Sequence, residues 1–342
     1  MIGPFSEPFW RKNDLAGCKP ALRCNLSLCL GASVVKFGPM RVLIIGCGYV
    51  GIPLGAELVR LGHEVFGVRR SADANEALKA AGITPLIADI SKREDLEKLP
   101  SNFDWVVNTV SSTKGGAAEY EEVYLNGTRN LIDWLAANPP KKFVYTSSTS
   151  VYGQTDGSAV KESSPTEPQS DTSKILVQTE KLLLDAAQLK QFPAVILRVA
   201  GIYGPDRGHL FQQYMRNEAK MAGKGERLIN MIHRDDLVGA IIVALKSGRV
   251  GEIYNAVDDE PVAQIHFFRW LSETLGKYMP PFATDAESAE RKRGLTQKKV
   301  FNRKLKMEMG YQFKYPTFRQ GYTAEITRLD RAGKSNIAPD PR

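Results

Sequence analysis

Short apolar runs alternate with amphipathic stretches between Met40 and about residue 200. Runs such as RVLII (Arg41–Ile45) and WVVNTV (105–110) are almost entirely apolar, which is typical of strands buried on both faces of a parallel sheet. Between them, apolar residues recur at helical spacing, and Gly or Pro ends each helix. This pattern predicts strands at 41–45, 64–68, 83–88, 105–110, 143–146 and 194–199, and helices at 50–61, 74–81, 92–99, 119–137 and 172–189.

This alternation predicts an α/β fold, because strand–helix–strand units cross over with one hand and build a doubly wound parallel sheet. After Gly201 the alternation breaks down into short strands and helices, such as 235–245 and 266–275. We expect 40–200 to form a nucleotide-binding domain. Segments within 201–330 would complete the sheet and form a small C-terminal substrate lobe, and 331–342 is predicted to be a disordered tail.

The first 39 residues differ from the rest of the chain. They have no clean helical or strand period, and the apolar sequence that follows Met40 favours an extension without function, with translation starting at Met40. A targeting segment is the alternative, although its acidic residues and the lack of an A-x-A site argue against it. The three cysteines of this segment match no zinc-binding spacing, so we predict no metal site.

The composition narrows the range of partners. The chain has 342 residues, of which 43% are hydrophobic, and a net charge of +8. No apolar run approaches the roughly 20 residues of a membrane-spanning helix, and a reducing cytoplasm is the expected compartment. A positive charge favours anionic ligands such as phosphates. Nucleic-acid binding is disfavoured because the basic residues are dispersed, except for a cluster at 291–306 that we interpret as solvated surface.

A glycine-rich turn follows the first strand. Gly46, Gly48 and Gly51 form G-x-G-x-x-G between a strand and a helix, the context in which this pattern is informative. Gly46 would allow the tight turn, Gly48 the approach of a pyrophosphate, and Gly51 close packing of helix on strand. With Tyr49 and Val50 in the turn, free amides at a helix N-terminus would bind the pyrophosphate. The turn therefore predicts a dinucleotide site on a Rossmann-type fold.

The ends of the next strands predict which dinucleotide binds. Arg69 and Arg70 follow the second strand, where an acidic residue would contact the ribose of NAD. Two guanidinium groups would instead bind a 2′-phosphate, so NADP(H) is favoured over NAD(H), with ordinary surface arginines as the alternative. Asp89 and Ile90 are expected at the adenine, although Asp89 could equally be a helix N-cap. Val110, at the end of the fourth strand, completes the predicted cofactor site.

The segment TSSTSVYG at 146–153 resembles the end of the fifth strand in extended short-chain dehydrogenases/reductases, the NAD-dependent epimerase/dehydratase family. Other segments resemble further motifs of that family in the same order along the chain. The resemblance extends from Met40 to about Leu329 and implies a Rossmann fold with NAD(P) as cofactor. The matching segments are 126–131, 197–198, 203–205, 233–236, 254–255 and 302–316.

The resemblance also implies a catalytic set, from which this chain departs. The family places Ser or Thr before a Tyr-x-x-x-Lys motif, and Ser148 and Lys174 match the hydroxyl and the lysine. Ser148 would then polarise the substrate oxygen, and Lys174 would bind the ribose. Ser170 stands where the tyrosine is expected, and a serine is a far weaker acid than a phenol. Ser170, Tyr152, a water molecule or the substrate itself are the candidate proton donors. At Tyr124 the family usually has Asn.

Two functions follow from these patterns. The first is an NAD(P)-dependent oxidoreductase or epimerase acting on a sugar nucleotide or a small carbonyl substrate. The second is a non-catalytic NADP(H)-binding sensor or scaffold, which the missing tyrosine favours. The family resemblance also implies a homodimer formed through the helices predicted at 119–137 and 172–189.

Overall fold

The computed structural model describes residues 38–221, 223–284 and 296–335, and of residues 332–335 only the backbone. Most of the segment interpreted as an extension, residues 1–37, therefore lies outside the described residues. Pro39–Arg342 belongs to a single structural unit. The segments after residue 200 are thus part of the same unit as the sheet.

Seven parallel strands form the central sheet, in the order β11-β7-β5-β4-β1-β2-β3. The chain runs outward from β1 to β3 and then returns to β4 on the other side of β1. The carboxyl ends of β1 and β4 therefore meet at the switch point, where such sheets bind ligands. The strands are β1 (Arg41–Ile45), β2 (Glu64–Arg69), β3 (Thr84–Ile87), β4 (Trp105–Asn108), β5 (Lys142–Ser148), β6 (Ser158–Val160), β7 (Ala194–Val199), β8 (Gly201–Tyr203), β9 (Leu228–Ile229), β10 (Met231–His233), β11 (Ile253–Ala256), β12 (Val262–Ala263) and β13 (Lys298–Val300).

Helices cover both faces of the sheet. The side chains of β1 alternate, because Val42 and Ile44 pack into the core under one face while Leu43 and Ile45 pack into the core under the other. Helices α1, α2, α8 and α10 contribute to the first core, and α3, α5 and α6 to the second. This arrangement confirms the predicted doubly wound fold. The helices are α1 (Gly51–Arg60), α2 (Asn75–Ala80), α3 (Arg93–Leu96), α4 (Ala117–Tyr120), α5 (Gly127–Leu135), α6 (Asp171–Lys190), α7 (His209–Met215), α8 (Arg234–Ser247), α9 (Gln264–Leu275), α10 (Arg303–Met309) and α11 (Phe318–Ser335).

A separate aromatic core lies in the C-terminal part of the chain. It joins α7, α9 and α11 through buried rings, and Tyr203 stacks on Tyr322 with ring centroids 4.4 Å apart. Helix α11 continues to Ser335, so the predicted disorder from residue 331 is wrong for 331–335. Buried aromatic residues anchor this helix, and its backbone hydrogen bonds continue past them. Residues 336–342 lie outside the described residues. No helix among the described residues is long and apolar enough to cross a bilayer.

The basic cluster at 291–306 is only partly surface. Residues 291–295 lie outside the described residues. Lys298 is buried, and its ammonium donates to the Tyr152 carbonyl at 2.7 Å and to the Thr296 hydroxyl at 2.8 Å. Burial lowers the pKa of Lys298 to about 8. The interpretation of the cluster as solvated surface is therefore wrong for this lysine. Two others pair with carboxylates, Lys304 with Glu252 and Lys306 with Asp259.

Candidate functional site

The turn after β1 requires glycine at its first position. Gly46 has a φ of +76°, and a Cβ placed there would lie 2.7 Å from the backbone of Val110, at the end of β4. The amides of Gly46 and Cys47 both donate to the carbonyl of Val68, at 3.1 and 3.0 Å. Backbone conformation and close approach thus both exclude a side chain at Gly46.

The other two glycines have different surroundings. A Cβ on Gly51 would lie 3.1 Å from Ile44 and 3.2 Å from the Cys47 sulfur, so Gly51 allows α1 to pack close to β1. A Cβ on Gly48 would meet nothing nearer than Arg69, at 3.5 Å, which is an ordinary contact. Internal packing therefore does not require a glycine at position 48. Val50 is the N-cap residue of α1, and no side-chain hydrogen bond from the described residues caps this end of the helix. Backbone amides at the N-terminus of α1 are therefore available to an anion.

Cys47 serves the packing of the turn rather than any chemistry. Its side chain is buried, and burial raises the pKa of the thiol to about 12. A thiolate is the reactive form of cysteine, so this residue stays inert at neutral pH. A Cβ on Gly67 would lie 2.9 Å from its sulfur, which shows how tightly β2 packs against it.

A pocket of about 330 Å³ opens beside the turn, at the ends of β2 and β3. Arg69 pairs with Asp73 at 3.0 Å, and its buried Nε has no hydrogen-bond partner among the described residues. Arg70 donates to the Thr113 hydroxyl at 3.3 Å. The structure thus places together all the residues predicted at the adenosine end. They are Arg69, Arg70, Asp89, Ile90 and Val110, joined by Ser71 and Asp73.

Asp89 and Ile90 form one wall of this pocket, which we name the adenosine pocket. Asp89 Oδ1 accepts from the Ser91 amide at 3.0 Å and from its hydroxyl at 2.9 Å, so it stabilises the turn after β3. Helix α3 begins only at Arg93, and the alternative of Asp89 as a helix N-cap is therefore wrong. Ile90 is buried, and a Cβ on Gly127 would lie 2.7 Å from its Cδ1. Close packing against α5 thus holds Ile90 in the wall.

A second pocket of about 410 Å³ continues from the first along the ends of β1, β4, β5 and β7. The two pockets share Gly46, Gly48, Val110 and Ser111, so they form one continuous cleft at the switch point. We name the second part the substrate pocket. Its other lining residues include Tyr49, Val50, Tyr120, Tyr124, Thr146, Ser147, Ser148, Leu176 and Arg207.

The end of β5 presents hydroxyl groups to the substrate pocket. Ser148 Oγ accepts from the Ser150 amide at 3.1 Å, which leaves the hydroxyl hydrogen free to be donated. The neighbouring Ser147 hydroxyl donates to buried Glu180 at 2.6 Å, and the Thr146 hydroxyl donates to the Asn108 carbonyl at 3.1 Å. Among these three hydroxyls, Ser148 alone keeps its hydrogen for a ligand.

Helix α6 does not bring its predicted catalytic residues into the cleft. Ser170 is its N-cap, and the Ser170 hydroxyl accepts from the Ser173 amide at 3.3 Å. The Lys174 ammonium is exposed and lies 3.0 Å from Asp171. The residue of α6 that lines the substrate pocket is Leu176. Residues two apart on a helix point to different sides, so Lys174 faces away while Leu176 faces in.

Tyr152, another predicted proton donor, is fully buried outside the cleft. Its hydroxyl donates to Asn255 at 2.7 Å and accepts from Arg198 at 2.9 Å. Arg198 in turn pairs with buried Glu180 at 2.7 Å. Burial raises the pKa of Tyr152. The prediction of Tyr152 as a proton donor is therefore wrong, because this tyrosine belongs to a buried network under the substrate pocket.

Arg207 is a functional candidate that the sequence did not indicate. Its guanidinium lies 4.9 Å from the ring centre of Tyr49, and that of Arg234 lies 5.4 Å from the same ring. The Tyr49 hydroxyl donates to the Pro205 carbonyl at 3.0 Å, which fixes the ring. Only the fold brings these arginines, more than 150 positions away in the chain, to the glycine-rich turn. Arg207 lines the substrate pocket and supplies positive charge there, whereas Arg234 pairs with Asp235 at 3.0 Å.

His233 has a structural position at the start of α8. It is buried, and its Nδ1 accepts from the Asp235 amide at 3.1 Å as the N-cap. Burial lowers the pKa of His233 to about 4, so the ring is neutral at pH 7. A neutral ring is what this contact requires, because a protonated Nδ1 cannot accept a hydrogen bond.

Comparison with known proteins agrees with this geometry. The sequence profile of the NAD dependent epimerase/dehydratase family matches residues 42–256. The chain belongs to the NAD-dependent epimerase/dehydratase family. It is 30% identical to the protein YeeZ of Escherichia coli K12 over 283 residues, which cover 81% of this chain and 96% of YeeZ.

Solved structures show the same fold. A conserved protein of unknown function from Silicibacter pomeroyi is 26% identical, with a TM-score of 0.70 over 84% of this chain and 99% of that protein. The dTDP-glucose 4,6-dehydratase of Bacillus anthracis in complex with NAD has a TM-score of 0.73 at 21% identity, over 85% of this chain and 97% of that enzyme. At that identity the likeness concerns the fold alone.

Proposed function

We propose that this protein is an NADP(H)-dependent oxidoreductase or epimerase that acts on a carbonyl or alcohol carbon of an anionic substrate such as a sugar nucleotide. The observation that carries the proposal is the continuous cleft at the switch point. One of its ends has arginines suited to a phosphate, and the other has a free serine hydroxyl. Family membership supports an NAD(P)-dependent reaction, and the cleft supports the particular ligands.

The residues of the cleft fit a dinucleotide. The adenosine would lie between Ile90 and the arginines, and the pyrophosphate would lie over Gly48, where packing leaves the place of a Cβ unfilled. Tyr49, Val50 and Gly51 would contribute amides at the start of α1. When bound, the nicotinamide would give or accept a hydride in the substrate pocket.

The preference for NADP(H) rests on the end of β2. Arg69 and Arg70 both line the adenosine pocket, with Ser71 beside them. Asp73 already pairs with Arg69, whereas Arg70 contacts only the neutral Thr113 hydroxyl among the hydrogen bonds of the described residues. Arg70 would therefore contribute most to a 2′-phosphate, with Arg69 as a second contact, because the Ser71 hydroxyl already donates to Asp73 at 2.6 Å.

The substrate pocket favours an anionic substrate with a carbonyl group. The Ser148 hydroxyl can donate to a carbonyl oxygen, and Arg207, which lines the same pocket, can attract a phosphate or carboxylate. A sugar nucleotide carries such a phosphate group, so it is favoured over a small uncharged carbonyl.

A second candidate function, a non-catalytic NADP(H)-binding sensor or scaffold, is favoured by one observation. Helix α6 presents the apolar Leu176 to the cleft, while Lys174 pairs with Asp171 and Ser170 caps the helix. The predicted roles of Ser170 as replacement for the tyrosine and of Lys174 at the ribose stay predictions that this geometry does not support. A sensor would bind the cofactor tightly and turn over no carbonyl substrate.

Calorimetric titration with NADPH and NADH tests the proposal. We expect the wild-type protein to bind NADPH at least about tenfold more tightly than NADH, because hydrogen bonds to charged groups contribute about 1.5–3 kcal/mol. Arg70→Ala should remove most of this preference and leave the NADH affinity within about twofold. Arg93→Ala, which changes an exposed arginine outside the cleft, is the matched control and should bind both nucleotides as the wild type does.

The outcomes separate the two candidate functions. A protein that ignores both nucleotides at millimolar concentration contradicts both. Tight binding of NADPH, with neither oxidation of NADPH nor conversion of any sugar nucleotide, aldehyde or ketone in a broad screen with reduced or oxidised cofactor, supports the sensor. Oxidation of NADPH in that screen, lowered at least about tenfold by Ser148→Ala, supports the oxidoreductase.

A further inference from the structure

Tyr120 is the last residue of α4 and lines the substrate pocket together with Ser148. The chain then forms a π-helical turn, Glu121–Asn126, before α5 begins. Such turns are rare and occur frequently at functional sites. This turn lies at the cleft and brings a second tyrosine, Tyr124, to the same wall. Two tyrosines therefore line the same pocket as Ser148.

The hydroxyls of these tyrosines differ in their contacts. The Tyr124 hydroxyl accepts from the Ser112 amide at 3.0 Å and is nearly buried. The rings of Tyr120 and Tyr124 lie against each other, with centroids 4.7 Å apart. The Tyr120 hydroxyl makes no hydrogen bond within the described part of the chain, and its ring is half-buried. Its position is thus fixed by ring packing, while its O–H remains available.

The neighbouring Glu119 does not compete for this hydroxyl. Its carboxylate accepts from the Ser112 hydroxyl and from the amides of Thr113, Lys114 and Gly115. These hydrogen bonds lower the pKa of Glu119 to about 2, and the one from Ser112 has the largest effect. The carboxylate is therefore ionised and turned toward the loop that follows β4. These hydrogen bonds hold the loop, whose Ser111 lines the substrate pocket together with Tyr120.

The other tyrosines near the cleft are already engaged. The Tyr49 hydroxyl donates to Pro205, and Tyr152 is buried in the Arg198 network. From α6 the cleft receives only an apolar side chain among the described residues. A phenol is also a much stronger acid than a serine hydroxyl. Tyr120 therefore combines acidity, access and an unengaged O–H.

We propose that Tyr120, supplied by α4, is the proton donor of the reaction, in place of a residue of α6. This inference rests on the proposed function. A bound reduced nicotinamide would supply the hydride to the carbonyl carbon, and the Tyr120 O–H bond would then break as its proton passed to the carbonyl oxygen. Ser148 donates a hydrogen bond to the same oxygen, and water returns a proton to the phenolate through the open cleft. In the reverse direction the phenolate accepts the alcohol proton.

The first test needs no turnover. Protein labelled with 3-fluorotyrosine contains 12 tyrosines, and the ¹⁹F resonance of Tyr120 is identified by its loss in Tyr120→Phe. We expect NADPH to shift the Tyr120 resonance and to leave that of Tyr278, which is 97% exposed, unchanged. A Tyr120 resonance that NADPH does not move overturns the inference.

The second test compares matched variants in the turnover assay. Tyr120→Phe should lower kcat by about 100-fold or more, because proton transfer by a positioned acid contributes about 10²–10⁴-fold, with KM and NADPH affinity within about threefold. Tyr278→Phe should behave as the wild type. Equal melting temperatures would show that the variants fold.

The outcomes show whether the proposed function fails or only the role of Tyr120 does. Absence of NADPH binding by the wild type overturns the proposed function and this inference with it. NADPH binding and turnover that Tyr120→Phe leaves intact overturn only the inference. A large loss in Tyr124→Phe without one in Tyr120→Phe also overturns it, and assigns the proton to the neighbouring ring.

Discussion

The two halves of the cleft differ in which segments of the chain line them. In the cofactor half, the glycine-rich turn, the arginines after β2 and the Asp89–Ile90 wall each lie at the end of a strand of the parallel sheet. In the substrate half, the lining comes from β5, α4, α6 and a loop more than 150 residues from the turn. The first half is built from segments that adjoin along the chain, whereas the second is assembled from distant ones.

This difference shows which parts of a site tolerate change. A pyrophosphate bound by backbone amides depends on backbone conformation, which few residues other than glycine allow at Gly46. A proton donor needs only an acidic group at the right place, and any element that reaches the cleft can supply it. Helix α6 can therefore present Leu176 while α4 presents Tyr120.

The largest expected effect on stability comes from breaking the buried ion pair under the substrate half. Arg198→Met removes one partner of a buried ion pair and leaves Glu180 charged under the cleft, which should cost about 3–5 kcal/mol in the free energy of unfolding. Arg60→Met, which breaks an exposed pair with Glu57, should leave the free energy of unfolding nearly unchanged, because solvent screens such pairs. Urea denaturation measures both. Equal losses in the two variants would contradict a special role for the buried network.

The next effect separates two glycines of the cofactor half. Gly46→Ala places a Cβ 2.7 Å from the Val110 backbone at a φ of +76°, so we expect a loss of about 2–4 kcal/mol in stability together with loss of NADPH binding. Gly48→Ala meets no atom nearer than 3.5 Å.

For Gly48→Ala we therefore expect stability within about 0.5 kcal/mol of the wild type and NADPH affinity lowered at least about tenfold, since its methyl group occupies the pyrophosphate place. Thermal denaturation and calorimetry check both variants. If Gly48→Ala binds NADPH normally, the dinucleotide does not pass over this residue.

His233 is expected to give the stability a pH dependence of intermediate size. The folded protein holds the pKa of His233 at about 4, below its usual value near 6.5. The unfolded chain then binds more protons between these values, so stability is complete above about pH 6.5 and is lost as the pH falls toward 4, by roughly 2–3 kcal/mol.

His233→Asn keeps an N-cap without a titratable ring and should lose less free energy of unfolding than the wild type between pH 6.5 and 4 in urea denaturation, so any advantage of the wild type at pH 7 should shrink as the pH falls. Identical pH profiles would show that His233 is not held neutral.

The smallest expected effect tests the departure on α6. Lys174→Met breaks only an exposed pair with Asp171, so the stability should change by less than about 0.5 kcal/mol. With the ammonium outside the cleft, the NADPH affinity should stay within about threefold. A loss of tenfold or more in calorimetry would show that Lys174 turns inward to the ribose, and would restore the family pattern in the substrate half.

Much of the cofactor half could be predicted because its signals are local. A strand, three glycines and a helix adjoin along the chain, and the ends of successive strands meet at one edge of the sheet. The substrate half could not be predicted in the same way. The spacing of Ser170 and Lys174 matched a motif, but spacing alone does not say which face of α6 meets the cleft.

The sequence alone determined the α/β class, the doubly wound sheet and the dinucleotide turn. Apolar periodicity and the backbone freedom of glycine are properties of a few neighbouring residues, so they are visible in the sequence. Only the tertiary structure decided that Leu176 and Tyr120 line the substrate pocket, that Tyr152 is buried and that Arg207 lies on Tyr49. The reason is that helix rotation and loop position follow from how the whole core packs, and distant segments contribute to that packing.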